Sequence, residues 1–514
     1  MNFKKILKIL GKIMILEGIL MMAPLFVSII YKEDVFNVFG FAIPIFILFI
    51  GGILLQFLKP TNDSLYQKEG FALVAMVWLV MAGFGALPFV ISKDIPNYID
   101  ALFETMSGFT TTGASIINNI SVISHSGLFW RSFTHWIGGM GILVFILIFI
   151  PESNEGSSMH LLRAESPGPQ VGKLVSKMKV TTRILYLIYL GISVLCFLLL
   201  IVGKPVKGYE SDHVFNCLLA TFGTAGTGGF GFIPGGFELF SAYSQYVVAT
   251  FMILFGVNFS LYYLILIGKV KEVVKSEELK TYFIIAFLAI SIITCSLIFR
   301  IGNAANLQDY TAEEAFRHAY FQVASIMSTT GYTTSDFNAW SNVAKTIIVL
   351  LMVFGAMAGS TAGGIKTSRL VIGVKGARKN IQQLINPRQV TKTKFEGKLL
   401  TDETINGVYA FYTMYFLILL VVVLLLSFDP INGQTITIVS DAGTYTETHG
   451  FIENFTATIS SLSNIGPGLG TVGAYGSFSI YSPFSKILLT ITMLIGRLEI
   501  LPVLILFSPK TWKK

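Results

Sequence analysis

Charge is what this chain has least of. Only 13% of its 514 residues are Asp, Glu, Lys or Arg, about half of the roughly 25% usual in soluble domains. So few charges cannot cover the surface of a soluble protein of this size. With 53% hydrophobic residues and a mean hydropathy of +0.69, the solvent is largely lipid. That excludes an ordinary cytosolic enzyme and a disordered regulator. Cysteine is scarce too: Cys196, Cys217 and Cys295 lie in apolar stretches without metal-ligand spacing. Their odd number excludes a secreted disulfide scaffold, and all three read as buried packing residues. Catalytic motifs are also missing. No apolar run carries HExxH, paired inward carboxylates or a Ser/Lys nucleophile pair, so a multi-pass membrane enzyme is disfavoured and no organic cofactor is expected.

The charges that are present alternate along the chain. Of 37 Lys and Arg, 27 fall in six clusters at 1–12, 59–69, 151–183, 269–280, 366–398 and the last five residues. The tips between them carry acids, among them Glu33, Asp94, Asp100, Glu104, Asp212, Glu313, Asp429 and Glu453. This pattern follows the positive-inside rule and puts both termini in the cytoplasm. The net charge of +8 therefore needs no nucleic-acid partner. The first apolar run, behind Lys4, Lys5, Lys8 and Lys12, carries Glu17, is long for a signal sequence and lacks a small-x-small cleavage site, so it reads as a retained helix.

Apolar runs close to the roughly 20 residues that span a bilayer occur at 9–31, 38–58, 71–92, 130–150, 183–203, 245–268, 281–300, 343–372, 405–428 and 484–507. The expected fold is an all-α polytopic membrane protein with ten transmembrane helices. Past residue 70 the spans pair, and the link inside each pair has one texture: a short apolar stretch followed by a Thr/Ser/Gly cluster. The four links read YIDALFETMSGFTTTGAS (98–115), DHVFNCLLATFGTAGTGGFG (212–231), EEAFRHAYFQVASIMSTTGYTTSDF (313–337) and GFIENFTATISSLSNIGPGLGTVG (450–473). Their central glycines align as Gly113, Gly226, Gly331 and Gly466, spaced by 113, 105 and 135 residues. Four pseudo-repeated helix–pore-loop–helix units follow: 70–165, 166–280, 281–404 (with an interrupted inner helix and a basic loop) and 405–514, preceded by a helix pair at 1–69.

An irregular backbone at membrane depth is tolerated where it is buried in protein or lines a water-filled path. A Thr-Thr-Gly segment after a half-helix offers carbonyls and hydroxyls, and glycine permits the backbone angles that turn successive carbonyls one way. Four such segments around an axis would replace the hydration shell of a monovalent cation. The half-helices would aim their partially negative C-terminal ends at the ion, and acidic outer tips would concentrate cations.

The residues SGFTTTGAS, STTGYTTSDF, SNIGPGLG, GSTAGGIKTSR and GRLEI resemble the Trk/Ktr/HKT superfamily of potassium transporters. The extra N-terminal pair is similar to its Trk-type membrane subunit. The resemblance covers essentially the whole chain. It implies a potassium pore built by four units, a homodimer with one pore in each subunit, and a cytoplasmic nucleotide-binding regulatory ring supplied by a separate polypeptide. Carried over residue by residue, the filter that binds potassium would be Thr111-Thr112-Gly113, Thr224-Ala225-Gly226, Thr329-Thr330-Gly331 and Asn464-Ile465-Gly466. Glycine at all four central positions is similar to the potassium-selective members; sodium-favouring plant relatives carry serine at the first. Because the copies differ in side chains, a uniform ring of hydroxyls is impossible, and backbone carbonyls must carry most of the coordination.

The run 343–372 is interrupted by Gly359, Ser360, Thr361, Ala362, Gly363 and Gly364, followed by Ile365 and Lys366. Small residues with adjacent glycines break a helix. The segment misses a phosphate-binding loop by one residue and has the wrong context for one. The resemblance makes it a gating loop below the filter, against a packing kink as the other reading. Arg497 in GRLEI, costly in lipid, should face the interior; the resemblance makes it a positive barrier in the pore, with neutralisation by Glu499 or a loop carbonyl as the alternative. Arg131, His135, Arg317 and His318 read as interfacial or packing groups. The basic stretch 373–404 is either a solvated loop on anionic lipid or the docking surface of a regulator. The functional expectation is channel-like uptake of potassium, with rubidium, across the cytoplasmic membrane. A sodium- or proton-coupled symporter on the same fold is the alternative. A broken-helix transporter with two inverted halves fits less well, because four links recur.

Overall fold

A computed structural model describes residues 2–59, 67–141, 178–301, 310–388, 392–440, 443–500 and 503. Helices α1 (Phe3–Ile30) and α2 (Val35–Gln56) form the N-terminal pair. They approach through glycine: a Cβ on Gly11 would meet the carbonyl oxygen of Gly52 at 2.8 Å, and one on Gly52 would meet that of Gly11 at 2.7 Å. Such small-residue contacts let backbones pack where lipid supplies no hydrophobic drive. Large apolar side chains such as Phe46 and Ile30 stay exposed on the outer faces, as a lipid-facing surface requires.

Four long apolar helices follow at intervals: α3 (Gln67–Gly85), continued by α4 (Leu87–Ser92), then α7 (Met178–Ile201), α12 (Glu277–Ile298) and α16 (Asp402–Leu426). With α1 and α2 they make six helices long and apolar enough to cross a membrane among the described residues. After each of the four comes a short helix: α5 (Tyr98–Phe109), α8 (His213–Gly226), α13 (Ala312–Met327) and α17 (Phe451–Ser463). At 12 to 16 residues they are shorter than the roughly 20 needed to span a bilayer. A further helix returns after each: α6 (His125–Gly139), α9 (Ala242–Phe255), α14 (Asn342–Val353) and α18 (Pro483–Arg497). Each short helix packs between two of these, α5 between α18 and α6, α8 between α6 and α9, α13 between α9 and α14, and α17 between α14 and α18. The packing closes a cycle.

Among the described residues, two expected spans are sharply broken. The run at 245–268 bends by 92° between α9 and α10 (Phe259–Leu266). Asn258 starts the new helix, its side chain accepting from the Ser260 amide, and at Gly256 there is no room for a side chain beside Tyr282. The run at 343–372 is interrupted over Phe354–Lys366, five residues earlier than its glycines suggest, where Phe354 and Ile365 form a parallel bridge. The two breaks are stitched together: the Met357 amide donates to Gly256 O at 3.1 Å, and the Phe259 amide donates to Gly359 O at 3.0 Å.

The basic stretch after the second break is folded. Helix α15 (Thr367–Ile385) is followed by a hairpin of β1 (Lys394–Phe395) and β2 (Lys398–Leu399), with Phe395 buried against Ile372, Ile405 and Val408. A second hairpin, β3 (Thr435–Ser440) and β4 (Gly443–Thr448), precedes α17. The short α11 (Val270–Lys275) leads into α12. The boundaries expected at 280/281 and 404/405 fall inside the first turns of α12 and α16; the one at 165/166, the inner half of the run 130–150 and the C-terminal basic cluster lie outside the described residues. Cys196 and Cys217 are buried, but Cys295 is exposed on the apolar outer surface of α12, so packing explains two cysteines and not the third.

Candidate functional site: a cycle of four glycine turns

All four short helices end alike. A residue with left-handed backbone closes each: Thr111 (φ +55°), Thr227 (+55°), Thr329 (+57°) and Asn464 (+55°). The next amide reaches back five residues, Thr112 to Ser107 O, Gly228 to Gly223 O, Thr330 to Ser325 O and Ile465 to Ser460 O, at 2.8 to 2.9 Å. This is the Schellman closure, which satisfies carbonyls a helix end would orphan. A glycine of positive φ comes next: Gly113 (+78°), Gly229 (+71°), Gly331 (+87°) and Gly466 (+108°).

This geometry corrects the second copy. Thr224, Ala225 and Gly226 lie in the last turn of α8, and the matching triplet is Thr227-Gly228-Gly229, three residues on. The segment TAGTGG offers two threonine-glycine registers, and helix length, invisible in the composition, chooses the later.

The four turns meet head to tail. A side chain on Gly113 would collide with the carbonyl oxygen of Gly228, one on Gly229 with that of Thr330, and one on Gly331 with that of Ile465. The cycle closes where a Cβ on Gly466 would lie 2.8 Å from the Thr112 carbonyl oxygen. Each glycine therefore serves twice: it takes a backbone angle that L-residues avoid and admits its neighbour's carbonyl. All four line the floor of a cavity of about 600 Å³ walled by β3 and by the stretch 471–480.

The threonine hydroxyls are engaged elsewhere. Thr110 and Thr112 hydroxyls bond at 2.8 Å, as do Ser328 and Thr330 at 2.7 Å. Thr227 donates to its own neighbour, Gly226 O. Asn464 donates through Nδ2 to the Thr112 hydroxyl and to Met493 O, both at 2.9 Å. Main-chain oxygens are what the four turns hold in common.

Behind the first two turns stands a buried ion pair. Arg131, 2% exposed, meets Glu104 at 2.6 Å, donates to Gly231 O at 2.9 Å and lies over the Phe230 ring at 4.3 Å. Glu104 also accepts from the Ile116 amide at 2.9 Å. The pair thus braces the chain after Gly113 and after Gly229. His135 joins it: one ring nitrogen lies 2.8 Å from Gly108 O and the other accepts from the Phe230 amide at 3.3 Å, which assigns a neutral ring protonated on Nδ1. Glu104 is accordingly no free outer charge. Asp429 and Glu453 are also engaged locally, capping the chain at Ser482 and Gly450, and Asp100 pairs with Lys486 at 2.7 Å.

The interrupted segment touches this cycle. The Gly363 amide donates to the Thr329 hydroxyl at 2.7 Å. Arg497 donates to the Thr111 hydroxyl at 3.2 Å, to Thr361 O and Gly139 O at 3.0 Å, and to Gly138 O. Lys366 donates to Ala362 O and Gly363 O. Glu499, offered by sequence as a partner of Arg497, pairs instead with Arg369, whose guanidinium covers Phe411 at 4.0 Å. Three main-chain oxygens and the Thr111 hydroxyl accept from the Arg497 guanidinium. Ser360 turns back to Met357 O, and Gly359 and Gly364 take positive φ. Nothing in the sequence singled out Asn258, Glu278 or the Glu104–Arg131 pair as neighbours of these segments.

The model of the cation transport protein family TrkH matches residues 37–514, and the chain belongs to that family, as the superfamily resemblance anticipates. Its activity is transport and not catalysis. Among curated relatives, the Trk system potassium uptake protein TrkH of Escherichia coli K12 is 30% identical over 520 residues, covering 100% of both chains. TrkG of the same strain is 31% identical over 510 residues, covering 98% of this chain and 97% of the relative. The crystal structure of the potassium transporter TrkH from Vibrio parahaemolyticus matches with a TM-score of 0.82 at 27% identity over 100% of both chains.

Proposed function

We propose that this protein takes up potassium, and rubidium with it, across the cytoplasmic membrane by a channel-like route through the four glycine turns. The head-to-tail cycle of Gly113, Gly229, Gly331 and Gly466 against their neighbours' carbonyls carries this reading. An ion shedding its water at this level meets oxygens fixed in place, as carbonyl filters require. The short helices end there, so their partial negative charge favours a cation. The names of the relatives, potassium uptake proteins of Trk systems, support potassium as the cargo.

The finer reading follows the same geometry. Ten crossings, both termini inside, would form four helix–turn–helix units around one path, beginning near residues 70, 166, 281 and 405 after the helix pair 1–69. The filter would be Thr111-Thr112-Gly113, Thr227-Gly228-Gly229, Thr329-Thr330-Gly331 and Asn464-Ile465-Gly466. The loop Gly359–Gly364, with Lys366 and Arg497, would form the constriction beneath it and act as the gate; its hydrogen bonds to Thr329 and Arg497 support this. We assign control of the gate to a cytoplasmic nucleotide-binding subunit, and the assembly to a homodimer in lipid.

The test is cation flux in liposomes, wild type beside Gly113→Ser, with potassium, rubidium, sodium and lithium compared. Potassium and rubidium should pass well ahead of sodium, and the serine should erode that preference. Equal flux of all four ions in the wild type would sink the assignment.

A further inference from the structure

Glu278 stands in the first turn of α12 and is 5% exposed. A single carboxylate oxygen accepts from the Ala358 amide at 2.8 Å and from the Ser368 amide at 2.9 Å. Those amides flank the stretch Gly359–Gly364 with Lys366: Ala358 precedes Gly359, and Ser368 lies two residues after Lys366 in the first turn of α15. One oxygen from a different helix therefore pins both ends of the loop at its base. A carboxylate is tolerated in such a place only where donors converge on it, and here both donors are the loop's own flanks.

The end of α12 that carries Glu278 is itself held from the cytoplasmic hairpin. Glu396 accepts from the Ser276 hydroxyl at 2.8 Å and from the Glu278 amide at 3.0 Å. It thereby satisfies a helix N-terminal amide with the charge that end favours. Glu396 and Gly397 form the two-residue turn between β1 and β2, both with positive φ (+47° and +74°), the geometry that suits a tight hairpin. Phe395 seats the hairpin in the cluster with Ile372 of α15 and Ile405 of α16. Lys375 of α15 ties the group further, bonding the Lys394 carbonyl at 2.7 Å and the Glu277 carboxylate.

We infer that Glu278 is the positioning residue of the intramembrane loop, and that the cytoplasmic hairpin sets it through Glu396, so that moving the hairpin loosens the loop. The inference rests on reading that loop as the gate. It names where a cytoplasmic partner would have to act: on the hairpin tip at 396–397, whose displacement frees the end of α12.

The test uses the full chain in liposomes, with Ser360→Cys as reporter in a Cys295→Ser background and a water-soluble thiol reagent as probe. Glu278→Ala and Glu396→Ala should each speed labelling at position 360 by about tenfold, the shift that one charge-assisted hydrogen bond supports. The double variant should label no faster than Glu278→Ala alone, because both act on one link. Glu278→Gln, whose amide oxygen can still accept from both amides, should stay within about threefold of wild type. Unchanged labelling in both alanine variants, or effects that multiply in the double variant, would overturn the inference. Should Glu278→Ala not assemble, Glu396→Ala on the exposed hairpin decides alone. Rubidium flux is measured in parallel: faster labelling with unchanged flux upholds the clamp and removes the gate reading, whereas slow labelling with wild-type flux removes the clamp and leaves the gate.

Discussion

The guanidinium of Arg497 donates to the main-chain oxygen of Thr361 at 3.0 Å and, with the same nitrogen, to the hydroxyl of Thr111 at 3.2 Å. One side chain from the last helix thus joins the interrupted loop to the first glycine turn. Replacing it removes both a positive charge and a strut. Arg497→Ala should raise rubidium flux in liposomes severalfold, about the tenfold that 1.4 kcal/mol represents being the upper end. Arg497→Lys should fall between, since a lysine cannot reach several carbonyls with a planar fork. Flux in Arg497→Ala equal to or below wild type, at equal protein in the membrane, would count against the barrier.

The four glycines are not equally crowded. A methyl group would lie 1.8 to 2.1 Å from a carbonyl oxygen at Gly113, Gly229 and Gly331, and 2.8 Å from the Thr112 oxygen at Gly466, a milder clash. All four positions share the cost of positive φ, about 1 kcal/mol or more for alanine. Selectivity for potassium over sodium should therefore fall steeply in the first three alanine variants and least in Gly466→Ala. Ratio measurements of the two fluxes rank them directly. A Gly229→Ala variant with intact selectivity would return the second copy to the Gly226 register.

Asn464 occupies the left-handed position that threonine fills in the other three copies. Its amide bridges Thr112 to Met493. Aspartate is at ease with that backbone and has nearly the same shape, yet cannot donate. Asn464→Asp should lose both bonds, leaving Met493 O and its own charge opposed. An about tenfold loss of potassium flux or of selectivity is expected, in keeping with one to two hydrogen bonds to a buried site. Flux and selectivity at wild-type levels would show that the bridge is dispensable.

Glu104 and Arg131 form a pair whose rupture leaves one charge unpaired in the interior. Either Glu104→Gln or Arg131→Ala should destabilise the protein by about 3–5 kcal/mol. Thermal unfolding in detergent reads this as a lowered midpoint. Joint replacement by Met at both positions should cost less than the two single changes added together. Additive losses would mean that the two side chains act separately.

The broad architecture was legible because lipid imposes it. Long apolar runs with charged ends mark α1, α2, α3, α7, α12 and α16, and their expected limits fall within several residues of the helices. The Gly113, Gly331 and Gly466 turns were legible because only one glycine in each link follows a short helix at the right distance. The second was misread because TAGTGG repeats its own signal, and only the length of α8 separates the candidates. The bend at Gly256–Asn258 left no trace in an uninterrupted apolar run; it depends on a partner, the Gly359 carbonyl, far away in sequence. Charges misled in the same way. Glu104 looked like an outer acid, and Arg131 was left between an interfacial and a packing group, because the helix pairing that buries them against each other is tertiary.

The stitching of the two breaks makes the structure beside the four turns unequal around its axis. Gly256 and Met357, Phe259 and Gly359 fasten the bend after α9 to the loop after α14, whereas from α18 it is the Arg497 side chain that donates to the loop, at Thr361 O. On the proposed gate, these two neighbouring quadrants would move together. Opening would be lopsided, a swing from one side like a door on its jamb, not the even dilation of an iris. In a four-part ring of unequal parts, the side that moves is chosen by which backbones are sewn together.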